Sequence, residues 1–216
     1  MTYTGKVTPG SPGVHELTDL SITKASVGPM DNNAYVLTCR KTGDTLLIDA
    51  AEEADTLLAL LPDGKLREVV TTHRHKDHWG ALSDVVEATG ARTIAGAADA
   101  AGIGVPTERR VRHGDLVAVG DCTLQVIALV GHTPGSIALL YDDPHGAGHL
   151  WTGDSLFPGG VGKTWSPVDF TSLINDVETK LFKPLPDETW VYPGHGNDTT
   201  LGEERPHLAE WRERGW

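Results

Sequence analysis

Cysteine is scarce in this sequence of 216 residues, and positive charge is in deficit. Its two cysteines, Cys39 and Cys122, exclude a disulfide framework, and we expect both to be buried strand residues because unpaired cysteine is usually buried. Lysine and arginine number 18 against 30 aspartate and glutamate residues, which gives a net charge of −12. Proteins that bind nucleic acid usually present a basic face, so we expect no nucleic-acid partner.

Long apolar runs are missing as well. No stretch approaches the ~20 consecutive apolar residues of a membrane-spanning helix, so we expect no membrane partner. Residues 1–6 hold no apolar signal core, which predicts a cytoplasmic protein. With 39% hydrophobic and 22% charged residues, the sequence is typical of a soluble globular protein. We interpret residues 1–216 as one domain with a loose N-terminal segment at 1–13 and a C-terminal helix at 203–216, and the oligomeric state stays open.

Histidine and aspartate, in contrast, are concentrated in one motif. Residues 71–80 read TTHRHKDHWG and contain His73, His75, Asp77 and His78 directly after an apolar strand pattern. Imidazole and carboxylate are ligands of zinc and similar metals. Alternate residues of an extended chain point the same way, so the first two histidines are expected to reach one metal. The chain then turns into a helix, where the aspartate and the last histidine can face a second metal.

Three further motifs place a metal-binding side chain after a predicted strand. The first is GHTPGS, which contains His132, the second is GDS with Asp154, and the third is PGHG with His195. Each consists of a strand end, a glycine-rich turn and a potential ligand. Functional residues often lie on loops that a rigid scaffold positions. The motifs therefore predict a metal site assembled from several loops, and we expect it to catalyse a reaction.

The order of these motifs, His-x-His-x-Asp-His followed by His132, Asp154 and His195, resembles the metallo-β-lactamase superfamily. Within it, the chain looks most like hydrolases of the glyoxalase II (hydroxyacylglutathione hydrolase) type. The resemblance extends from Asp31 to about Thr200. It implies an α/β fold, namely an αββα sandwich (the metallo-β-lactamase fold) of two packed mixed sheets flanked by helices, with the ligands at one edge.

The resemblance also implies two divalent metal ions, for which we expect zinc, with iron or manganese as alternatives. The implied ligands are, for the first ion, His73, His75 and His132; for the second ion, Asp77, His78 and His195; and between the two ions, Asp154. The implied nucleophile is a hydroxide that bridges the ions, since a metal can lower the pKa of bound water to about 7. Asp77 would also orient this hydroxide. The implied activity is metal-dependent hydrolysis of a small molecule.

The leaving group favours a thioester as the substrate. A thiolate departs easily because a thiol has a pKa of about 8.5. Lactonases of the superfamily carry a tyrosine at the position of Phe157, and a phenyl ring cannot donate the proton that an alkoxide needs. The β-lactamases of the superfamily lack the bridging aspartate that is found here as Asp154. We therefore expect thioester hydrolysis rather than lactone or β-lactam hydrolysis.

The predicted substrate-binding loop is only partly like that of glyoxalase II. Lys163, in the segment VGKTW, resembles the lysine that contacts the glutathione carboxylate in those enzymes, and a solvated surface lysine is the alternative interpretation. Asn197 stands where they have a tyrosine, and this sequence ends at Trp216 without a counterpart of their C-terminal glutathione-binding domain. We therefore expect a thioester of another thiol, or a different small ester.

An oxidoreductase is the competing hypothesis. Persulfide dioxygenases share this motif order but use a single iron, which residues matching His73, His132 and Asp154 would hold. Two histidines and one carboxylate with open positions form the facial triad of such iron sites. The chain can supply this set, so a mononuclear iron persulfide dioxygenase stays the alternative.

The sequence pattern predicts strands early and late in the chain with helices between them, a mixture that fits several α/β architectures. Strands are predicted at 20–27, 34–39, 45–48, 69–72, 92–95, 137–141, 149–151 and 189–192, and two more in 111–130 around Gly120 and Asp121. Helices are predicted at 52–61, 78–88, 170–182 and 203–214, with an alanine-rich helical piece after the strand at 92–95.

Overall fold

Two β-sheets form the centre of the structure. The computed structural model describes residues 3–62 and 64–215. The first sheet contains β1 (Gly13–Glu16), β2 (Leu20–Val27), β3 (Asn32–Cys39), β4 (Thr45–Ile48), β5 (Leu66–Thr71), β6 (Arg92–Gly96) and β7 (Arg109–Val111). The second sheet begins with β8 (Leu116–Val119), β9 (Cys122–Ala128), β10 (Ile137–Tyr141) and β11 (His149–Gly153). The next two strands, β12 (Leu156–Phe157) and β13 (Gly160–Val161), form a separate hairpin. The second sheet is completed by β14 (Trp190–Pro193) and β15 (Thr199–Thr200). The α-helices are α1 (Ala54–Leu60), α2 (Leu82–Thr89), α3 (Pro167–Val177), α4 (Leu201–Glu204) and α5 (Leu208–Arg214).

Both sheets are mixed. In the first, neighbouring strands are antiparallel from β1 to β4 and parallel from β4 to β7. In the second, the order is β15-β14-β11-β10-β9-β8, with β11 parallel to β14 and β10 antiparallel to both β9 and β11. Strands β9, β11 and β14 therefore run in the same direction. Their carboxyl ends lie at one edge of the sheet, which brings the loops that follow them together.

Three apolar clusters hold the layers together and confirm the αββα sandwich. The first lies between the sheets and contains Ile48 of the first sheet and Val126 of the second. The second cluster packs α2, through Val85, onto the outer face of the first sheet. The third packs α3, through Leu173, onto the outer face of the second. Each sheet thus buries both faces, which is the main apolar contribution to stability.

Most predicted strands are confirmed. Those at 20–27, 45–48 and 137–141 have the observed bounds, and the others shift only at their ends. The two strands predicted around Gly120 and Asp121 are confirmed as β8 and β9. The start of that interval differs, because Val111 ends β7 in the first sheet and β8 follows a turn in which Arg112 N donates to Asp115 Oδ2 at 2.7 Å. The short strands β1, β12, β13 and β15 were not predicted. Both cysteines are buried, as expected.

Two helices begin later than predicted. The helix expected at 52–61 starts at Ala54, because Glu53 has a left-handed backbone with φ 55°. The helix expected at 78–88 is wrong in its first turn: Lys76–His78 form a 3₁₀ turn, and α2 begins only at Leu82. Ala81 N donates to Ala50 O at 3.0 Å, so this amide is engaged outside the helix. The end of the helix agrees with the predicted residue 88 to within one residue, since α2 ends at Thr89.

The later helices are interrupted. α3 starts at Pro167, earlier than the predicted 170, because Ser166 accepts a hydrogen bond from Asp169 N as an N-cap and proline suits the first helical position. Its continuation, Glu178–Phe182, is a π-helix. The stretch predicted as one helix at 203–214 forms α4, a 3₁₀ turn and α5, since Pro206 has no N–H to donate. Within the described residues, no helix is long and apolar enough to cross a bilayer.

Candidate metal centre

Four loops bring the predicted ligands together at one edge of the sandwich. The histidine motif follows β5 of the first sheet, and His132, Asp154 and His195 follow β9, β11 and β14 of the second. Three overlapping groups have ligand atoms that all lie within 4.8 Å of one another: His73, His75 and His132; His73, His78 and Asp154; and Asp77, His78 and His195. The seven residues that the sequence singled out as ligands are therefore neighbours in the fold.

The first group consists of three imidazoles. His73 Nε2 lies 3.1 Å from His75 Nδ1 and 3.3 Å from His132 Nε2. The strand β5 ends at Thr71, and a bend at residues 72–74, rather than the extended chain that was expected, carries His73 and His75 to the centre. Three nitrogens that converge in this way present the ligand set of one metal ion.

The second group combines two imidazoles and a carboxylate. His78 Nε2 lies 3.3 Å from His195 Nε2, and Asp77 Oδ2 lies 3.3 Å from His195 Nε2 and 3.4 Å from His78 Nε2. Asp77 and His78 are on the 3₁₀ turn rather than on a regular helix. This turn carries both side chains toward the loop after β14.

Asp154 lies between the two groups. Its Oδ1 is 3.3 Å from His78 Nε2, and its Oδ2 is 3.6 Å from His132 Nε2 and 3.5 Å from His195 Nε2. Oδ1 is buried and receives no hydrogen bond from any residue that the structure describes. A buried carboxylate oxygen without a donor is costly unless a cation accompanies it. The residues therefore fit a pair of divalent ions that share this carboxylate.

Hydrogen bonds on the far side of three rings fix which nitrogen faces the centre. His132 Nδ1 lies 2.7 Å from Lys163 O, and His195 Nδ1 lies 3.0 Å from Met30 O. A carbonyl can only accept, so each Nδ1 carries the hydrogen and each Nε2 keeps its lone pair for a metal. His78 Nδ1 is held in the same way by Asp49 Oδ2, at 2.8 Å.

Asp49 is a functional residue that the sequence reasoning missed. It directly follows β4, has φ 57°, and is 1% exposed. Its Oδ1 accepts from Thr72 N at 2.7 Å, and its Oδ2 accepts from Thr72 Oγ1 at 2.8 Å. An aspartate at the end of an apolar strand was a signal that could have identified it, by the same reasoning that identified the ligands.

Asp99 is a second residue that was missed. It is fully buried, and its carboxylate accepts from Arg74 N at 3.0 Å, from Gly135 N at 2.8 Å and from Thr133 Oγ1. One carboxylate thus joins the loop of His73 and the loop of His132. Nothing in the sequence near Asp99 indicates this role, because its partners are distant along the chain.

The charges of the centre are strongly coupled. A hydrogen bond from His195 lowers the pKa of Asp77, and although burial raises the pKa of Asp154, the neighbouring His78 holds it well below its usual range. Burial lowers the pKa of His195, but hydrogen bonds to Asp154 and Asp77 raise it to about 10. Burial, followed by the charge of His78, lowers the pKa of His73. Protons and metal ions therefore compete for this centre.

The predicted substrate residue, Lys163, and two further residues lie close to the ligands. Lys163 follows β13, and its Nζ lies 4.5 Å from the ring centroid of Trp165, an exposed residue. The ring of Phe157 lies 6.3 Å from that of His195. Asn32 Nδ2 donates to Asp77 Oδ2 at 3.0 Å, which links β3 to the second ligand group. A role of Lys163 in substrate binding stays a prediction.

Comparison with known families identifies the superfamily of this fold. A family profile described as the Metallo-beta-lactamase superfamily matches residues 27–195, from the end of β2 to the last histidine of the centre. The chain belongs to this superfamily. The match covers the strands from β3 to β14 and all four loops that carry the candidate ligands. The fold expected from the sequence is thereby confirmed.

Relatives within the superfamily include hydrolases and metal-bound structures. The hydroxyacylglutathione hydrolase of Fuscovulum blasticum is 36% identical over 168 residues, covering 76% of this chain and 62% of that protein. The crystal structure of ETHE1 from Myxococcus xanthus is 30% identical, with a TM-score of 0.74, covering 89% of this chain and 84% of that one. TTHA1623, solved in a di-iron-bound form, is 32% identical, with a TM-score of 0.67 and coverages of 84% and 96%. The chain spans less than two thirds of the length of the hydroxyacylglutathione hydrolase.

Proposed function

We propose that this protein is a dinuclear metal-dependent hydrolase that acts on a thioester. The observation that carries the proposal is the position of Asp154 between the two ligand groups, with Oδ1 toward His78 and Oδ2 toward His132 and His195. A shared carboxylate offsets the repulsion between two close cations. The similarity to a hydroxyacylglutathione hydrolase supports the same reaction class.

The centre supplies the groups that hydrolysis of an acyl compound needs. When bound, two divalent ions would supply Lewis acidity, which lowers the pKa of water toward 7 and polarises a carbonyl oxygen. Asp77 is 23% exposed and Asn32 Nδ2 holds its Oδ2, so we assign to it the orientation of the attacking water as well as a ligand role. Zinc is the expected metal, and a cytoplasmic location stays a prediction.

The residue next to the second ligand group selects among esters. The ring of Phe157 is 6.3 Å from the ring of His195 and has no proton to donate. A thiolate needs no such proton because its conjugate acid has a pKa of about 8.5, whereas an alkoxide does. We therefore assign thioesters, rather than lactones, as the substrate class. We assign to Lys163 the binding of a carboxylate of the substrate. Asn197 stands where glyoxalase II enzymes have a tyrosine, which favours a thiol other than glutathione.

The test measures thiol release from a panel of acyl thioesters by the metal-loaded protein. We expect turnover of thioesters that the matching oxygen esters and lactones do not show, and loss of turnover after chelation. The matched variant is Phe157→Tyr, which adds a proton donor and should raise lactone hydrolysis relative to thioester hydrolysis. Lactone turnover by the wild type as fast as thioester turnover would contradict the proposal. Fast turnover of S-lactoylglutathione would contradict only the choice of another thiol.

One geometric observation favours a second candidate, a mononuclear iron persulfide dioxygenase. His73 Nε2 and His132 Nε2 are 3.3 Å apart, and Asp154 Oδ2 is 3.6 Å from His132 Nε2, so two histidines and one carboxylate meet as a facial triad requires. Elemental analysis of protein purified without oxygen separates the two candidates. About two zinc ions per chain support the hydrolase. One iron per chain, with oxygen uptake on adding a persulfide, supports the dioxygenase.

A further inference from the structure

A lysine is buried completely beside the loop that carries His195. Lys24 lies on β2 and is 0% exposed. Its ammonium has three hydrogens and three acceptors: Asp198 Oδ1 at 2.6 Å, Gly196 O at 2.7 Å and Gly5 O at 3.1 Å. Lysine is almost never buried in this way unless it is paired, because removing its charge from water is costly.

The counter-ion of Lys24 is also fully engaged. While Asp198 Oδ1 faces the ammonium, Asp198 Oδ2 accepts from Tyr3 OH at 2.5 Å. Asp198 N donates to Gly5 O at 3.0 Å. The buried pair thus joins the segment at Tyr3 and Gly5, strand β2, and the segment that follows His195.

The same segment is held from a second side. Asn33 Nδ2 donates to Pro193 O and to Gly196 O, both at 2.9 Å, and Tyr35 OH donates to Pro193 O at 2.7 Å. Gly196 O therefore accepts from both Lys24 and Asn33. The peptide groups on either side of His195 are anchored to β2 and β3, which leaves the imidazole little freedom to move.

We propose that Lys24 is a positioning residue for the second metal subsite, the one formed by Asp77, His78 and His195. By holding Gly196 O, its ammonium sets where His195 Nε2 lies relative to Asp77. A buried ion pair contributes little net stability, and its best-attested use is to specify one arrangement. The inference rests on the metal centre of the proposed function.

The test compares the two metal affinities rather than activity. Because removing Lys24 alone leaves Asp198 buried without its partner, the variant is Lys24→Met combined with Asp198→Asn. Metal-free protein is titrated with Co²⁺ in competition with a chelator, which gives two dissociation constants. His75→Ala and His195→Ala assign these constants to the first and second subsites.

The matched control is Glu68→Gln. Glu68 is also buried, at 4% exposure, and pairs with Arg92 at 2.5 Å; it lies in the N-terminal half of β5, whereas the ligands follow the C-terminal end of that strand. We expect the Lys24 and Asp198 double variant to bind the second ion about 10- to 100-fold more weakly, the range for partners of metal ligands, and the first ion within about twofold. Glu68→Gln should change neither constant.

Two results would overturn the inference while leaving the metal centre intact. The first is unchanged affinity for both ions in the double variant. The second is an equal loss of affinity at both subsites, which would show a general structural defect. A wild-type protein that binds no second ion would overturn the dinuclear centre and this inference with it.

Discussion

Asp154 presents two carboxylate oxygens to the space between the two histidine groups, with neighbouring imidazole nitrogens at 3.3 to 3.6 Å. Replacement by asparagine keeps the shape but removes the negative charge that offsets the repulsion of two cations. We predict that Asp154→Asn binds the second ion more than about 100-fold more weakly, because even partners outside the ligand set contribute 10- to 100-fold. Metal per chain after dialysis measures this. A variant that retains two tightly bound ions would show that the carboxylate is not shared.

Asp99 acts on the other half of the centre, through backbone rather than metal. Its carboxylate accepts hydrogen bonds from Arg74 N, Gly135 N and Thr133 Oγ1. The NH₂ group of an asparagine at this position would face these donors and could not accept from them. We predict that Asp99→Asn loses about 1–3 kcal/mol of unfolding free energy. We also expect the first subsite to bind its metal ion about 10- to 100-fold more weakly, while the metal affinity of the second subsite is preserved. The Co²⁺ titration measures both, and preferential loss of the second ion would refute this assignment.

A buried histidine away from the metal centre makes stability depend on pH. His149 is 2% exposed, its Nδ1 lies 2.8 Å from Tyr192 OH, and burial, with the charge of His15, lowers its pKa to about 4. Between the unfolded pKa of about 6.5 and the folded value, the unfolded chain binds more protons than the native one. The contribution of neutral, buried His149 to the unfolding free energy is therefore complete above pH 6.5 and is lost as the pH falls through about 4.

Glutamine does not titrate, so we predict that the His149→Gln variant loses roughly 3 kcal/mol less unfolding free energy than the wild type between pH 6.5 and pH 4. Denaturant unfolding of metal-free protein at a series of pH values measures the slope. The control is the same substitution at an exposed histidine, His113→Gln. Parallel wild-type and His149→Gln curves would disprove the coupling.

At the scale of elements, the turn after β14 packs so closely on the centre that only glycine fits. A Cβ on Gly194 would lie 2.2 Å from Asp154 Oδ1 and 2.6 Å from His78 Cε1. We predict that Gly194→Ala displaces these ligands of the second subsite, so that metal content falls to about one ion per chain while far-UV circular dichroism stays that of the wild type. The control is Gly148→Ala, whose Cβ would meet Leu140 and Thr189 at 3.6 Å, an ordinary contact. Full metal content in Gly194→Ala would contradict the prediction.

The elements most accurately predicted from the sequence were those whose pattern is local. The strand at 20–27 begins with alternating apolar and polar residues and the strand at 45–48 contains an apolar run, and each ligand motif stands at a strand end. These patterns were therefore recognised without the fold. The start of α2 was not predicted correctly, because it depends on the hydrogen bond from Ala81 N to Ala50 O. These two residues are far apart in the sequence. The break at Pro206 was not predicted, although a proline inside a helical pattern is a signal for one because it has no N–H to donate.

The residues that support the ligands were harder to predict than the ligands themselves. Asp49, Asp99 and Lys24 each act through partners on other strands or loops, and only the order of strands in the sheets brings them together. A lone aspartate or lysine in a sequence is most often a solvated surface residue. Without the pairing of β2 with β3 and of β4 with β5, no spacing rule connects Lys24 with His195 or Asp49 with His78.

For the whole molecule, the centre joins the two sheets. The histidine motif follows β5 of the first sheet, whereas His132, Asp154 and His195 follow strands of the second. Ions bound there are lost when the sheets separate, so they stabilise the native state by mass action. We predict that chelation lowers the unfolding free energy by about 2.7 kcal/mol for each ion present at 100 times its dissociation constant.

Thermal unfolding with and without chelator, followed by titration with Zn²⁺, measures this contribution. The midpoint should fall on chelation and recover as metal is added back, because only the native state brings both sets of ligands together. His75→Ala is the matched control: with one ligand missing from the first subsite, the recovery should be smaller at equal metal concentration. If the metal-free and metal-loaded proteins unfold at the same temperature, the ions do not bridge the sheets and the ligands are positioned by the protein alone.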